Sequence, residues 1–152
     1  MPATQKRKYA LSLLILALFW LGFLAGVSFL ATPVKFLAPS LTLPVALDVG
    51  RQTFAVLNPM ELLFAFLLSG AAALAWRSTG QGRATLAMTV VLLLMVLAQM
   101  LWLLPLLDAR VEVILQGGTP PASRLHLLYI VMDVLKLLFL GVVAVKQVLD
   151  LR

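Results

Sequence analysis

The sequence contains no cysteine, which excludes disulfides, thiolate metal sites and cysteine nucleophiles. It contains a single histidine, His126, so one chain cannot build a two-histidine haem site or a histidine-rich metal centre. Charge is scarce too: Asp, Glu, Lys and Arg make up 12% of the residues, against about 25% in soluble domains. Glycine-rich phosphate loops, nucleophile elbows and zinc-protease helix motifs are missing. Ser28, Ser40 and Ser78 have no neighbouring base to activate them. No stripe of Lys and Arg interleaves with aromatic residues, which argues against nucleic acid as a partner despite the net charge of +6.

Apolar residues fill the space these absences leave, at 62% of the 152 residues. A water-soluble fold of this size has no means of hiding that much apolar surface, whereas acyl chains solvate it directly. Four apolar segments stand out, at about 9–31, 60–76, 84–106 and 125–149. Each approaches or exceeds the ~20 helical residues that cross a hydrocarbon core. They are rich in Leu and Ala, lack period-two alternation, and run too long for barrel strands. The first follows Lys6-Arg7-Lys8, as a secretory signal would, but it exceeds the roughly 7–15 apolar residues of a signal core and reads as an uncleaved span. The expected fold is therefore an all-α membrane protein, a single domain over 1–152 with a four-transmembrane-helix bundle.

The connections refine this expectation. Residues 77–83 form a short polar turn, making the second and third spans an antiparallel hairpin. In residues 43–57, Leu43, Leu47, Gly50, Phe54 and Leu57 fall on one helical stripe, with Asp48, Arg51 and Gln52 off it. This pattern predicts an interfacial amphipathic helix between the first two spans, ended by Asn58-Pro59. Pro33 and Pro105 are expected near the ends of the first and third spans, faintly suggesting two related hairpins. Placing both termini in the cytoplasm puts Lys6, Arg7, Lys8, Arg77, Arg83, Lys146 and Arg152 inside, against Lys35, Arg51, Arg110 and Arg124 outside, as the positive-inside rule favours. The basic flanks suit anionic lipid headgroups, and a bacterial inner membrane is the expected location.

The fourth span carries the most chemistry. His126, Tyr129, Asp133 and Lys136 are spaced three, four and three residues apart, on one face of a helix. Lys136 lies about 16 Å from the nearer helix end at about 1.5 Å per residue, too deep to snorkel easily. A lone charge at the bilayer centre costs at least ~2.5–3.5 kcal/mol, so Asp133 and Lys136 are expected in contact, facing the bundle interior. Glu61, at the start of the second span, and Gln99, in the third, reach the same outer half. These residues form either a polar pocket for something small and polar or interhelical glue. Glu61, His126 and Asp133 offer at best a weak metal set, and neither metal nor cofactor is expected. In the first span Gly22, Ala25 and Gly26 share a face that permits close helix approach. Packing inside the bundle is favoured there over a dimer interface.

The stretch from Leu41 to Glu61, with Gly50, Phe54, Asn58 and Glu61 at its marked positions, resembles a small bacterial four-helix membrane family of unknown function. That family is grouped with a human transmembrane protein linked to platinum-drug resistance. Ser123-Arg124-Leu125-His126 is similar to the family's polar start of the last helix. The resemblance implies a four-span topology and no settled activity, and the Asp133/Lys136 pair departs from it. Three functions follow as expectations. The leading one is a non-enzymatic accessory or assembly subunit, partnered by another membrane protein or by its own copies. The second is a small transporter or channel component with Asp133 and Lys136 on its path. The third is a lipid-modifying enzyme with Glu61 or His126 as base.

Overall fold

The computed structural model describes residues 3–80 and 82–151, which are helical throughout apart from short connections, with no strand among them. The first helical rod comprises α1 (Ala3–Leu24), a π-helical stretch (Ala25–Ala31), the short α2 (Thr32–Val34) and a 3₁₀ turn (Lys35–Leu37). The second is α3 (Leu43–Thr79), 37 residues long. The third comprises α4 (Arg83–Ala98), a π-helical stretch (Gln99–Leu103) and α5 (Leu104–Leu115), and the fourth is α6 (Leu125–Asp150). All four rods are long and apolar enough to cross a membrane. Their outward side chains are apolar as well. Ile15, Leu94, Leu138 and Val145 are each about 60% exposed, where hydrocarbon rather than water is the compatible solvent.

The prolines do not break the rods where the sequence suggested. α3 runs through Pro59, so residues 43–57 are not a separate amphipathic helix. The stripe itself is present, with Gly50 and Leu57 buried and Leu47 and Phe54 half-buried, though Leu43 is exposed. A proline removes one backbone donor, a loss that a long helix held by packing can absorb. On the same turn, Asn58 Nδ2 donates to Phe54 O at 2.9 Å. Pro33 and Pro105 likewise lie inside rods that extend to Leu37 and Leu115. Each stands in the first turn of the α-helical segment that follows a π stretch. The wider π turn restarts the helix, so each proline occupies a first-turn position where its missing N–H costs least.

The α3–α4 turn depends on glycine. Gly80 has φ +67° and Gly82 φ +89°, and the Gly80 N–H donates to Trp76 O at 2.8 Å as the helix closes. Gly80→Ala is expected to cost about 1 kcal/mol, lowering the melting temperature of the detergent-solubilised chain by roughly 3 °C. At the start of α6, Ser123 Oγ accepts a hydrogen bond from Leu125 N at 3.1 Å.

The core draws on every rod: Leu13, Ala17, Trp20 and Leu24 from α1, Phe64, Ala65, Leu68 and Ala72 from α3, Leu92 and Val96 from α4, and Leu140, Val143 and Ala144 from α6. Small alanines among the large side chains let the helices approach closely. Burial also repeats along the chain. Trp20, Leu24, Leu57, Glu61, Phe64, Leu68 and Ala72 are buried, and so is the residue 72 positions after each: Leu92, Val96, Tyr129, Asp133, Lys136, Leu140 and Ala144. Pro33 and Pro105 keep the same offset. The two helical hairpins therefore share one burial register, and each contributes a carboxylate, Glu61 or Asp133, at the equivalent position.

Candidate functional site

The buried side chains include a connected polar group that draws on all four rods. Lys136, on α6, is fully buried, and its ammonium donates to both oxygens of Glu61, on α3, at 2.7 Å. It also lies 3.0 Å from Asp133 Oδ1, one turn earlier on α6. Trp20 Nε1 donates to Glu61 Oε1 at 3.0 Å from α1. Gln99 Nε2, in the π stretch before α5, donates to Asp133 Oδ1 at 2.8 Å. Glu61, Lys136 and Gln99 are fully buried, and Asp133 nearly so.

Each contact follows from local geometry. Asp133 and Lys136 meet because residues three apart on a helix are neighbours. Glu61 faces them because it shares the inward stripe of α3 with Leu57, Phe64, Leu68 and Ala72. Trp20 comes from the α1 stripe of Leu13, Ala17 and Leu24, and Phe64 fixes its ring at a 6.5 Å centroid distance. A second contact stands one turn toward the α5 end: Asn58 Nδ2 donates to the Tyr129 hydroxyl at 3.0 Å, and Phe54 meets the Tyr129 ring edge to face at 5.0 Å. Asn58 Oδ1 and Gln99 Oε1 are buried without a partner.

The ionic arrangement has two carboxylates and one ammonium. Moving charges out of water is costly, and their mutual attraction offsets that cost only when geometry and hydrogen bonding are good. Here the ammonium sits between both carboxylates, and neutral N–H donors from Trp20 and Gln99 complete their shells.

A cavity of about 460 Å³ runs from this group toward the α2 and α5 end of the bundle. Asp133 and Tyr129 line its inner part, and its walls are largely apolar, including Phe29, Phe36, Leu47, Phe54, Leu104 and Ile130. Ser28 Oγ and Thr32 Oγ1 line it too and are buried without partners. Around its mouth Arg51 bridges Asp48 at 2.8 Å and Glu112 at 2.9 Å, tying α3 to α5. Lys35 stands 5.1 Å from the Phe36 ring centroid and crosses Gly50, where a Cβ would collide with its ammonium.

The sequence-derived candidates are thus only partly gathered. Glu61, Gln99, Asp133 and Lys136 form one hydrogen-bonded group, and Tyr129 adjoins it. His126 is exposed and lines the cavity away from the triad. Among the described residues no group of three His, Cys, Asp or Glu side chains is placed to hold a metal. Gly22 is exposed, and neither Gly22 nor Gly26 has an atom within 4 Å of where a Cβ would stand. Their face, with half-buried Ala25, turns away from the other helices rather than packing inside the bundle. Trp20 and Asn58 join the polar group without being among the polar-cluster residues that the sequence indicates. Asn58 lies one turn before Glu61, and Trp20 falls on the stripe of Ala17 and Leu24, so helical spacing held the signal for both.

No known protein family, curated protein or solved structure matches this chain.

Proposed function

We propose that this chain is a small multi-pass membrane protein of the transporter or channel type, whose cavity admits a small polar or amphiphilic solute as far as Asp133. The observation that carries this reading is that Asp133, which is paired with Lys136 and through it with Glu61, lines a 460 Å³ cavity. Interhelical glue requires a paired charge, but not a chamber leading to it. Intramembrane ionisable groups beside a cavity are the usual marks of a substrate or ion path. The shared burial register of the two hairpins supports the reading, since many transporters are built from internal repeats with their site where the repeats meet. Mostly apolar walls with a few convergent polar groups suit a small ligand.

In this reading both termini face the cytoplasm of a bacterial inner membrane, and the cavity opens on the opposite side. The resemblance to the small four-helix family is part of the same proposal and adds a topology to it. A second reading, an accessory subunit that packs on another membrane protein or on its own copy, rests on the outward face of Gly22, Ala25 and Gly26. No observation favours enzymatic turnover.

The absence of cysteine makes the test direct. In reconstituted vesicles, Ser28→Cys and Thr32→Cys are expected to react with a membrane-impermeant maleimide at least tenfold faster than Leu140→Cys, and from the face opposite the termini. Equal inertness at all three positions would rule out a solvated path to the triad. A stoichiometric membrane partner retained in mild detergent would shift the balance to the accessory reading.

A further inference from the structure

A second cavity lies at the opposite end of the bundle, beside the α3–α4 turn, the start of α1 and the end of α6, with a volume of about 290 Å³. Two of its lining residues carry unsatisfied buried atoms. Thr85 is 2% and Gln147 3% exposed, yet Thr85 Oγ1 and Gln147 Nε2 have no hydrogen-bond partner. Buried polar atoms are nearly always paired, so two orphaned atoms on residues that line one cavity point to a missing partner. An amide nitrogen only donates, and a hydroxyl donates readily, so the missing partner is an acceptor.

The charge around the cavity has the matching sign. Lys6 and Lys146 line it, and Asp150, 3.5 Å from Lys146, is the one acid among the described residues that do. Among the described residues at this end of the bundle there are six Lys or Arg and that single acid. A metal cation or an ammonium group would meet donors and positive charge, which excludes both. A tetrahedral oxyanion accepts from several directions at once and is favoured by the field.

We propose that this cavity binds a phosphate group, with Gln147 and Thr85 donating to its oxygens and Lys6 and Lys146 balancing its charge. Its place at the end of apolar spans, where headgroups meet the protein, points to a phospholipid as the source. The volume holds a headgroup phosphate and leaves the acyl chains outside along the helices. This site is separate from the Asp133 cavity and stands or falls independently of it.

The test uses the full chain in neutral detergent with three probes: phosphatidylglycerol, diacylglycerol and inorganic phosphate. Native mass spectrometry is expected to show one phosphatidylglycerol retained at least tenfold more tightly than diacylglycerol, with a matching rise in melting temperature. Gln147→Leu combined with Thr85→Val is expected to reduce that retention about tenfold or more. Because this change also removes two orphaned polar atoms, the lipid-free melting temperature should hold or rise, which loss of a structural contact would not produce. Lys146→Met, on the partly exposed rim, should weaken retention severalfold with the fold intact. If inorganic phosphate alone stabilises the chain and depends on the same residues, the phosphate site stands with a free ion as its source. Equal retention of diacylglycerol, or undiminished phosphatidylglycerol binding by the double variant and by Lys146→Met, overturns the proposal.

Discussion

Lys136→Met is expected to be the most damaging single substitution in the chain. It leaves Glu61 and Asp133 facing each other across a site whose cation has gone, with Glu61 fully buried and Asp133 nearly so. Removing one partner of a buried ion pair typically costs about 3–5 kcal/mol, because the remaining charge is stranded. Here two carboxylates are stranded instead of one. A fall in melting temperature on the order of 10 °C, or loss of the monodisperse species in detergent, should follow. The charge count also predicts an asymmetry. Asp133→Asn or Glu61→Gln leaves one carboxylate against one ammonium, a balanced pair, and should be far milder. The triple change Glu61→Gln, Asp133→Asn, Lys136→Met removes every charge and should restore most of the stability, since neutral replacements of buried ionic groups are often tolerated. Thermal unfolding of the four proteins in one detergent decides the matter. A Lys136→Met protein as stable as the triple variant would mean that the ammonium does not hold the carboxylates together.

The second large effect is expected at Trp20. Its side chain is fully buried, sits beside Phe64 and donates its indole N–H to Glu61. For a chain in lipid, which is as apolar as a helix surface, transfer out of water is not what holds such a residue in place. Close contacts and the hydrogen bond hold it. Trp20→Ala removes both and should cost about 3–5 kcal/mol, the usual range for a large aromatic cut back in a packed interior. Trp20→Phe keeps most of the ring contacts and removes only the donor, for about 1–3 kcal/mol. Leu94→Ala, on the outward face at 59% exposure, should change stability little, because lipid fills the space. Melting temperatures in the order Leu94→Ala, Trp20→Phe, Trp20→Ala, highest first, are the expected result. If Trp20→Phe matched the unsubstituted chain, the indole bond to Glu61 would carry no weight.

The ladder of variants at the triad also separates stability from passage. Asp133→Asn keeps the balanced Glu61–Lys136 pair but alters the carboxylate that lines the cavity. A folded Asp133→Asn protein that has lost solute movement would place that carboxylate on the path. The same protein with unchanged activity would assign the group to architecture.

Several features were readable without any tertiary information. Long Leu- and Ala-rich runs predict helices because hydrocarbon leaves backbone groups no partner outside their own segment. That rule holds whatever the neighbours are, which is why four apolar rods could be expected before any packing was known. Asp133 and Lys136 could be placed on one face by the same kind of local argument, since three residues nearly complete a helical turn. Local rules were also the source of the misplacements. Asn58-Pro59 signals a break in an isolated helix, yet α3 continues through it. Pro33 and Pro105 signal ends, yet a π turn before each one converts it into a first-turn residue.

What the sequence determined alone is four runs long and apolar enough to cross a membrane, their helical state, and the stripe that puts charge inside one of them. Only the tertiary structure decided that Lys136 meets Glu61, 75 positions away, more closely than Asp133. The same holds for Trp20 and Asn58 joining the polar group, for His126 standing apart, and for the Gly22 and Gly26 face turning outward. The physical reason is one of range. Backbone satisfaction and helical periodicity act within a few residues and can be read along the chain. Which stripe faces which is settled by the joint packing of four helices, where alanine and glycine positions set the approach and a buried charge must find its partner in space.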